Sequence, residues 1–178
     1  MNRVVHTVVR GTASFLGCLL GAAVIIVAVP APHAAVPVPI SYAGDLARLT
    51  RLAPYSAVAP AGLPASWQPV SSSLALGGAN GPGTVTWQLG FMTPGGALAA
   101  LAESNASPAA FARRMTNDGT ALPPADLNGQ TWRLNSAPAR GQRSMYLTSA
   151  AGFTLVITGN ATWAQLRELA ASLRPVAR

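Results

Sequence analysis

Four carboxylates, Glu103, Asp118, Asp126 and Glu168, and five arginines, Arg113, Arg114, Arg133, Arg140 and Arg143, are the side chains with which the C-terminal part of this chain would do chemistry. Two carboxylates facing a cleft about 5–10 Å apart can share general acid and base work on a glycosidic bond. The spacing here groups none of them. Glu168 reads as an exposed charge on the polar side of a helix, and Glu103 as the end of a strand. Asp118 and Asp126 flank Gly119 and the pair Pro123–Pro124, where aspartate serves turn geometry. The four are too scattered for a calcium loop. Arginine forks bind carboxylate or phosphate bidentately. If the elements carrying the five arginines share one side, they form a candidate anion-binding patch; otherwise they are dispersed, solvated charges.

Other chemistries lack their residues. Beyond residue 40 there is no His and no Cys; His6, His33 and the single Cys18 all lie earlier. That removes the common nucleophile–base pairs, most transition-metal sites and any internal disulfide. All twelve basic residues are Arg. Without Lys there is neither a Schiff-base amine nor a phosphate-gripping P-loop. Ser71–Ser73 has no Gly-x-Ser-x-Gly setting. Gly77–Gly83, GGANGPG, reads as a loop. Asn105-Ala106-Ser107 and Asn160-Ala161-Thr162 match the glycosylation acceptor pattern, but both double as helix starts. No catalytic residue, cofactor or metal is expected, and the chain reads as a non-enzyme.

The elements that must position these residues are legible from period and punctuation. Leu46, Leu49 and Leu52 predict a short amphipathic helix within Ser41–Pro54. Its apolar side could rest on the domain, the membrane surface or another chain. Ala59–Ser72 reads as an irregular lead-in to a first strand, with Trp67 as a lid at the core edge. Val85, Trp87, Leu89 and Phe91 alternate with Thr86, Gln88 and Gly90, which predicts a strand with one buried face. Thr93–Gly96 then turns the chain into a second strand, ALAALAESN. Ser107 and Pro108 open a helix carrying Phe111 and Met115 on one face. Asn128–Gly129 predicts a two-residue hairpin within a meander running from Ala125 to Asn160. Thr162 and Gln165 predict a capping box for a last helix, whose apolar stripe is Trp163, Leu166, Leu169, Ala170 and Leu173.

The N-terminal segment addresses location. Gly11–Val29 is a run of 19 uncharged, mostly apolar residues preceded by Arg3 and Arg10. As a helix at ~1.5 Å per residue it spans ~28 Å, a bilayer's hydrocarbon thickness. The nearest later charge is Asp45, so the positive flank places the N-terminus in the cytoplasm. Pro32 disfavours cleavage after Ala31, and Cys18 lies too early in the run for a lipoprotein signal. The expected organisation is a cytoplasmic tail (1–10), a transmembrane anchor (11–30), a Pro/Ala-rich stalk with a short helix (31–58) and an extracytoplasmic domain (59–178). The expected fold class is α+β: one antiparallel sheet of about 5–7 strands with helices packed on one face, preceded by one transmembrane helix. The lipid bilayer is the expected partner of residues 11–30. The net charge of +7 suits an anionic lipid or polymer; the use of arginine alone is also what a GC-rich genome produces. Nucleic acid is not an expected partner.

Several stretches in order resemble one family: LPASWQP (Leu63–Pro69), TWQLGFMTPGG (Thr86–Gly96), LNGQTWR (Leu127–Arg133) and TGNATWAQLRELAASLRP (Thr158–Pro175), after an apolar segment and a Pro-rich spacer. The chain is similar to the actinobacterial membrane-anchored family termed Domain of Unknown Function 4245. The resemblance implies a cell-membrane protein with an external globular domain and implies no activity. The functional expectation is a binding or interaction module at the cell envelope, contacting an envelope component or a membrane-protein partner. A carrier or sensor of a lipid or other apolar ligand comes second and a carboxylate-dependent hydrolase last.

Overall fold

The computed structural model describes residues 38–78 and 81–177, which fall within one compact unit. The elements run α1 (Ala43–Leu52), β1 (Val58–Pro60), β2 (Gln68–Leu76), β3 (Val85–Met92), β4 (Leu98–Ser104), α2 (Pro108–Met115), β5 (Thr120–Leu127), β6 (Gln130–Ala137), a single 3₁₀ turn (Pro138–Arg140), β7 (Gln142–Thr148), β8 (Thr154–Gly159), α3 (Trp163–Ser172) and β9 (Leu173–Pro175). Seven strands form one antiparallel sheet in the order β2-β3-β4-β8-β7-β6-β5. Two meanders, β2 to β4 and β5 to β8, meet where β4 pairs with β8. In that pairing Leu101 lies opposite Ile157 and Ala102 opposite Val156. β1 and β9 form a separate two-stranded ribbon.

Side chains alternate across the sheet because a strand has period two. On one face Trp87, Leu89, Leu101, Met145 and Ile157 are sealed beneath Leu49 of α1 and Leu166 and Leu169 of α3. On the other, Ala102 and Val156 pack against Phe111 of α2. Around that smaller cluster the sheet is polar and internally paired: Thr86 with Ser104 at 2.7 Å, and Ser144 with Thr158 at 2.8 Å. Buried hydroxyls in such pairs avoid the cost of an unmade hydrogen bond.

The fold therefore differs from the expected class. Among the described residues the chain is mostly β, with two sheets, and its helices cover both faces of the large sheet rather than one. The expected transmembrane helix (11–30) lies outside the described residues, and among those no helix is long and apolar enough to cross a membrane. Three features account for the extra strand content. β2 contains Pro69 and β5 contains Pro123 and Pro124, residues that read as loop. Both strands are edges of the sheet, where a missing N–H costs no ladder bond, and in both the register shifts beside the prolines. β9 takes Leu173 and Arg174, expected within the last helix, into a strand opposite β1. Ribbon strands of three residues are too short to show a period.

Other expectations agree with the structure. The capping box is present: Gln165 N–H donates to Thr162 Oγ1 at 3.2 Å, and Thr162 N–H donates to Gln165 Oε1 at 3.0 Å. Asn128 and Gly129 both take positive φ, 52° and 73°, as a tight hairpin between right-twisted strands needs. Trp67 is buried edge-on to Phe91. Ser107 precedes α2 but makes no side-chain cap, so Pro108 alone marks that start. The two candidate acceptor asparagines brace neighbouring strands: Asn105 Oδ1 accepts from Val85 N–H, and Asn160 Oδ1 from Leu98 N–H.

The position of α1 is settled by a relay. Trp87 Nε1–H donates to Ser72 Oγ at 3.1 Å, and that hydroxyl donates to Asp45 Oδ2 at 2.6 Å. The relay ties α1, β2 and β3 together, and Tyr42 packs on the rings of Trp87 and Phe91. The amphipathic helix thus lays Leu49 and part of Leu46 on the domain, while Leu52 stays exposed.

Gly159 marks the closest backbone approach, since a Cβ there would overlap the Leu98 carbonyl oxygen and lie 3.0 Å from Ala99 Cα. Gly159→Ala is expected to destabilise the protein by about 2–3 kcal/mol through forced separation of β4 and β8. Urea denaturation checks this; an unchanged midpoint would show that the two strands part freely.

Candidate functional site

Two open grooves lie on opposite faces of the sheet. The first, of about 440 Å³, sits on the α1/α3 face where β5 to β8 end beside the β1–β9 ribbon. Trp132, Leu147, Phe153 and Leu155 supply apolar lining, and Val58 and Pro175 supply the ribbon side. Asn128, Gln130, Ser149 and Arg174 add polar groups. Mostly apolar concavities of about 300–1,000 Å³ with a few polar groups are the usual form of a ligand site. Arg174 is held in place, with Nη1 donating to the Ala171 and Leu173 carbonyls at 2.8 and 2.7 Å.

Next to this groove lies a buried carboxyl. Glu103 is fully buried on β4, between Trp87 of β3 and Leu155 of β8. Its Oε2 accepts from the Val58 N–H at 3.2 Å, while Oε1 has no hydrogen-bond partner among the described residues. Burial pushes the carboxyl up to about 8, against a smaller downward pull from the Val58 bond. At neutral pH it is therefore held mainly as the neutral acid. Tyr55, stacked on Phe153 with ring centroids 4.5 Å apart, has its phenol pushed up by burial and then by the nearby Glu103. Two residues that touch this buried pair, Val58 and Phe153, also line the groove.

Alternation could have revealed Glu103. It falls two residues after Leu101 and four after Ala99, on the buried face of β4. Reading it as the end of a strand hid this, because the strand runs on to Ser104.

The second groove, about 600 Å³, lies between α2 and β5 to β7 and is polar. Two of the five patch arginines, Arg113 and Arg133, line it, together with Asp118, Asn135 and Tyr146. Arg113 Nε lies 3.5 Å from Asp118 Oδ1, and both side chains are mostly exposed. Arg114 sits over the Phe111 ring at 5.5 Å. Arg140 reaches Asn117 Oδ1 at 3.5 Å. Arg143 is on the other sheet face and donates to the Asn160 and Ala161 carbonyls at 3.4 and 3.3 Å. The five arginines thus do not share one groove.

Nor do the carboxylates. Asp118 is the one acid lining either groove, Asp126 is exposed and accepts from Thr131 Oγ1 at 2.6 Å, and Glu168 is exposed on α3. Among the described residues no three His, Cys, Asp or Glu side chains gather as a metal site would require.

A family model described as "Protein of unknown function (DUF4245)" matches residues 6–173, nearly the whole chain. No curated protein matches it.

The carboxyl of Glu103 has a direct stability consequence. Its folded-state value, about 8, lies above the ordinary value of 4.5, so the folded state binds that proton more tightly. Its contribution is complete below about pH 4.5 and is lost as pH rises through about 8. Glu103→Gln keeps the shape and the acceptor for Val58 but cannot ionise. The wild type is expected to lose a few kcal/mol relative to this variant between pH 5 and pH 9. Denaturation curves across that range check it, and parallel pH profiles for the two proteins would contradict it.

Proposed function

We propose, from the premise that this chain belongs to the DUF4245 family of proteins of unknown function, that it is a binding module held at the cell envelope. The observation carrying this reading is the apolar groove of about 440 Å³ beside the ribbon, open to solvent and edged by Asn128, Gln130 and Ser149. The membrane placement and the actinobacterial origin are part of the proposal. Their support is the uncharged run Gly11–Val29 with its positive N-terminal flank, and the exclusive use of arginine among basic residues. In this arrangement residues 1–10 are cytoplasmic, residues 11–30 meet the bilayer, and the β-rich domain works outside.

A second reading is favoured by the groove's lining. Leu127, Leu173 and Pro175, lying over the buried Leu147, Phe153 and Leu155, offer an apolar ligand, such as a lipid chain, a surface from which water is readily displaced. On this reading the domain carries or senses that ligand. Hydrolysis is the weakest reading, since the one acid in a groove, Asp118, is engaged by Arg113 and no second acid faces it.

Ala151 is exposed and lines the groove. Ala151→Arg therefore blocks the groove with little effect on stability, about 0.5 kcal/mol or less. In-cell cross-linking of the full-length protein in membranes, followed by mass spectrometry, is expected to recover a reproducible partner together with the peptide Met1–Arg10. The Arg variant should recover at least tenfold less of that partner. Equal recovery by both proteins would remove the groove from the proposal. A mature N-terminus near Ala31–Val36 would remove the anchor.

A further inference from the structure

We propose that the polar groove between α2 and β5 to β7 binds a sugar acid, a hydroxyl-bearing ligand with one carboxylate whose charge is held by Arg133. This site lies on the opposite sheet face from the apolar groove and does not depend on it.

Strand alternation places the charge. Trp132 and Leu134 are buried in the main core, so Arg133 between them projects from the other face. Its cross-strand neighbour on β7 is Tyr146, half-buried against the Phe111 cluster. Both line the groove. Among the described residues neither ion pair includes Arg133, and its guanidinium makes no hydrogen bond to the protein. Its donors therefore face water. A planar fork of N–H groups in that state matches a carboxylate, which can accept two of them side by side.

The charge balance limits the ligand. The charged residues lining the groove are Arg113, Arg133 and Asp118. Arg113 Nε lies 3.5 Å from Asp118 Oδ1, so those two charges cancel each other and one net positive charge remains. A singly charged anion neutralises it. A dianion would bring its second charge towards Asp118 with no free cation to meet it.

Hydrogen bonding asks for hydroxyl groups beside the carboxylate. Asn135 gives its Nδ2–H to the Gly119 carbonyl at 2.8 Å, which leaves Oδ1 as an acceptor. Thr131 donates its hydroxyl proton to Asp126 Oδ1 at 2.6 Å, so its oxygen can only accept from a ligand. Acceptors of this kind repel a bare anion and are satisfied by O–H donors. The groove's volume of about 600 Å³ also far exceeds what an inorganic ion would fill and lies in the usual range for small organic ligands. A polyol carrying one carboxylate meets all three demands.

NMR titration of the full-length protein at neutral pH and constant ionic strength tests this, with glucuronate, glucose, acetate and N-acetylglutamate as probes. Glucuronate is expected to shift the Arg133 Nε–H and the Tyr146 amide saturably, at least about tenfold more tightly than the other three. Arg133→Gln, at an exposed position, should weaken glucuronate about tenfold while amides outside the groove keep their shifts. Asp118→Asn suits the positive φ of 50° at that position and removes the one negative charge. It should tighten glucuronate, and sulfate, a dianion, should gain more. Ala151→Arg, in the apolar groove, should change none of this. Acetate binding as tightly as glucuronate would reduce the site to a charged surface, and glucose binding as tightly would remove the role of charge. Equal binding of N-acetylglutamate would make the groove a site for acidic peptide. Each of these results would overturn the proposal, as would glucuronate affinity unchanged in either groove variant or no saturable shift at all.

Discussion

The pairing of β4 with β8 is the constraint on which the rest of this structure depends. These strands belong to different meanders, and their ladder alone joins the two halves into one sheet. Central strands covered on both faces must be apolar or internally satisfied on both. This pair meets that demand unevenly. One face carries Leu101 and Ile157 under α1 and α3. The other carries Ala102 and Val156 under α2, with Ser104 and Thr158 held in hydroxyl pairs. Gly159 lets the pair close at its end, where no side chain fits.

Much of this was legible in the sequence, because period two and turn chemistry are local signals. The alternation in Val85–Phe91, the Asn128–Gly129 turn and the Thr162–Gln165 box each correspond to an observed feature. What was not legible is non-local. The prolines of β2 and β5 are compatible with a strand only at a sheet edge, and edge position is a property of the assembled sheet. The same holds for the side of the sheet each helix takes: Phe111 and Leu166 look equally apolar in sequence, yet they pack on opposite faces. Among site residues, the arginines drew notice for their type, and the fold separates them. Glu103 has an ordinary type in an unusual place, and its importance comes from desolvation by Trp87, Leu155 and the ribbon.

The two grooves show how one sheet can offer unlike surfaces. Opposite pleat faces share a backbone but not a side-chain set, so the polar groove by α2 and the apolar groove by the ribbon can change independently. The apolar groove borrows one side from β1 and β9, elements outside the large sheet. Its shape is therefore set partly by a ribbon of three residue pairs, whereas its floor on β7 and β8 belongs to strands paired on both sides. Proteins draw their moving parts from the low-stability end of their structure, and a groove built this way has a fixed floor and a yielding side.

The prolines at the β5 edge have a consequence for crowded surroundings. Pro123 and Pro124 interrupt the register beside Leu122 and offer no N–H to an incoming strand. A fibre of stacked sheets needs two competent edges on every subunit, one to receive and one to give. With the β5 side blunted, edge-to-edge growth has no second edge from which to continue. A protein packed densely along a surface is thereby protected from polymerising through its own sheet.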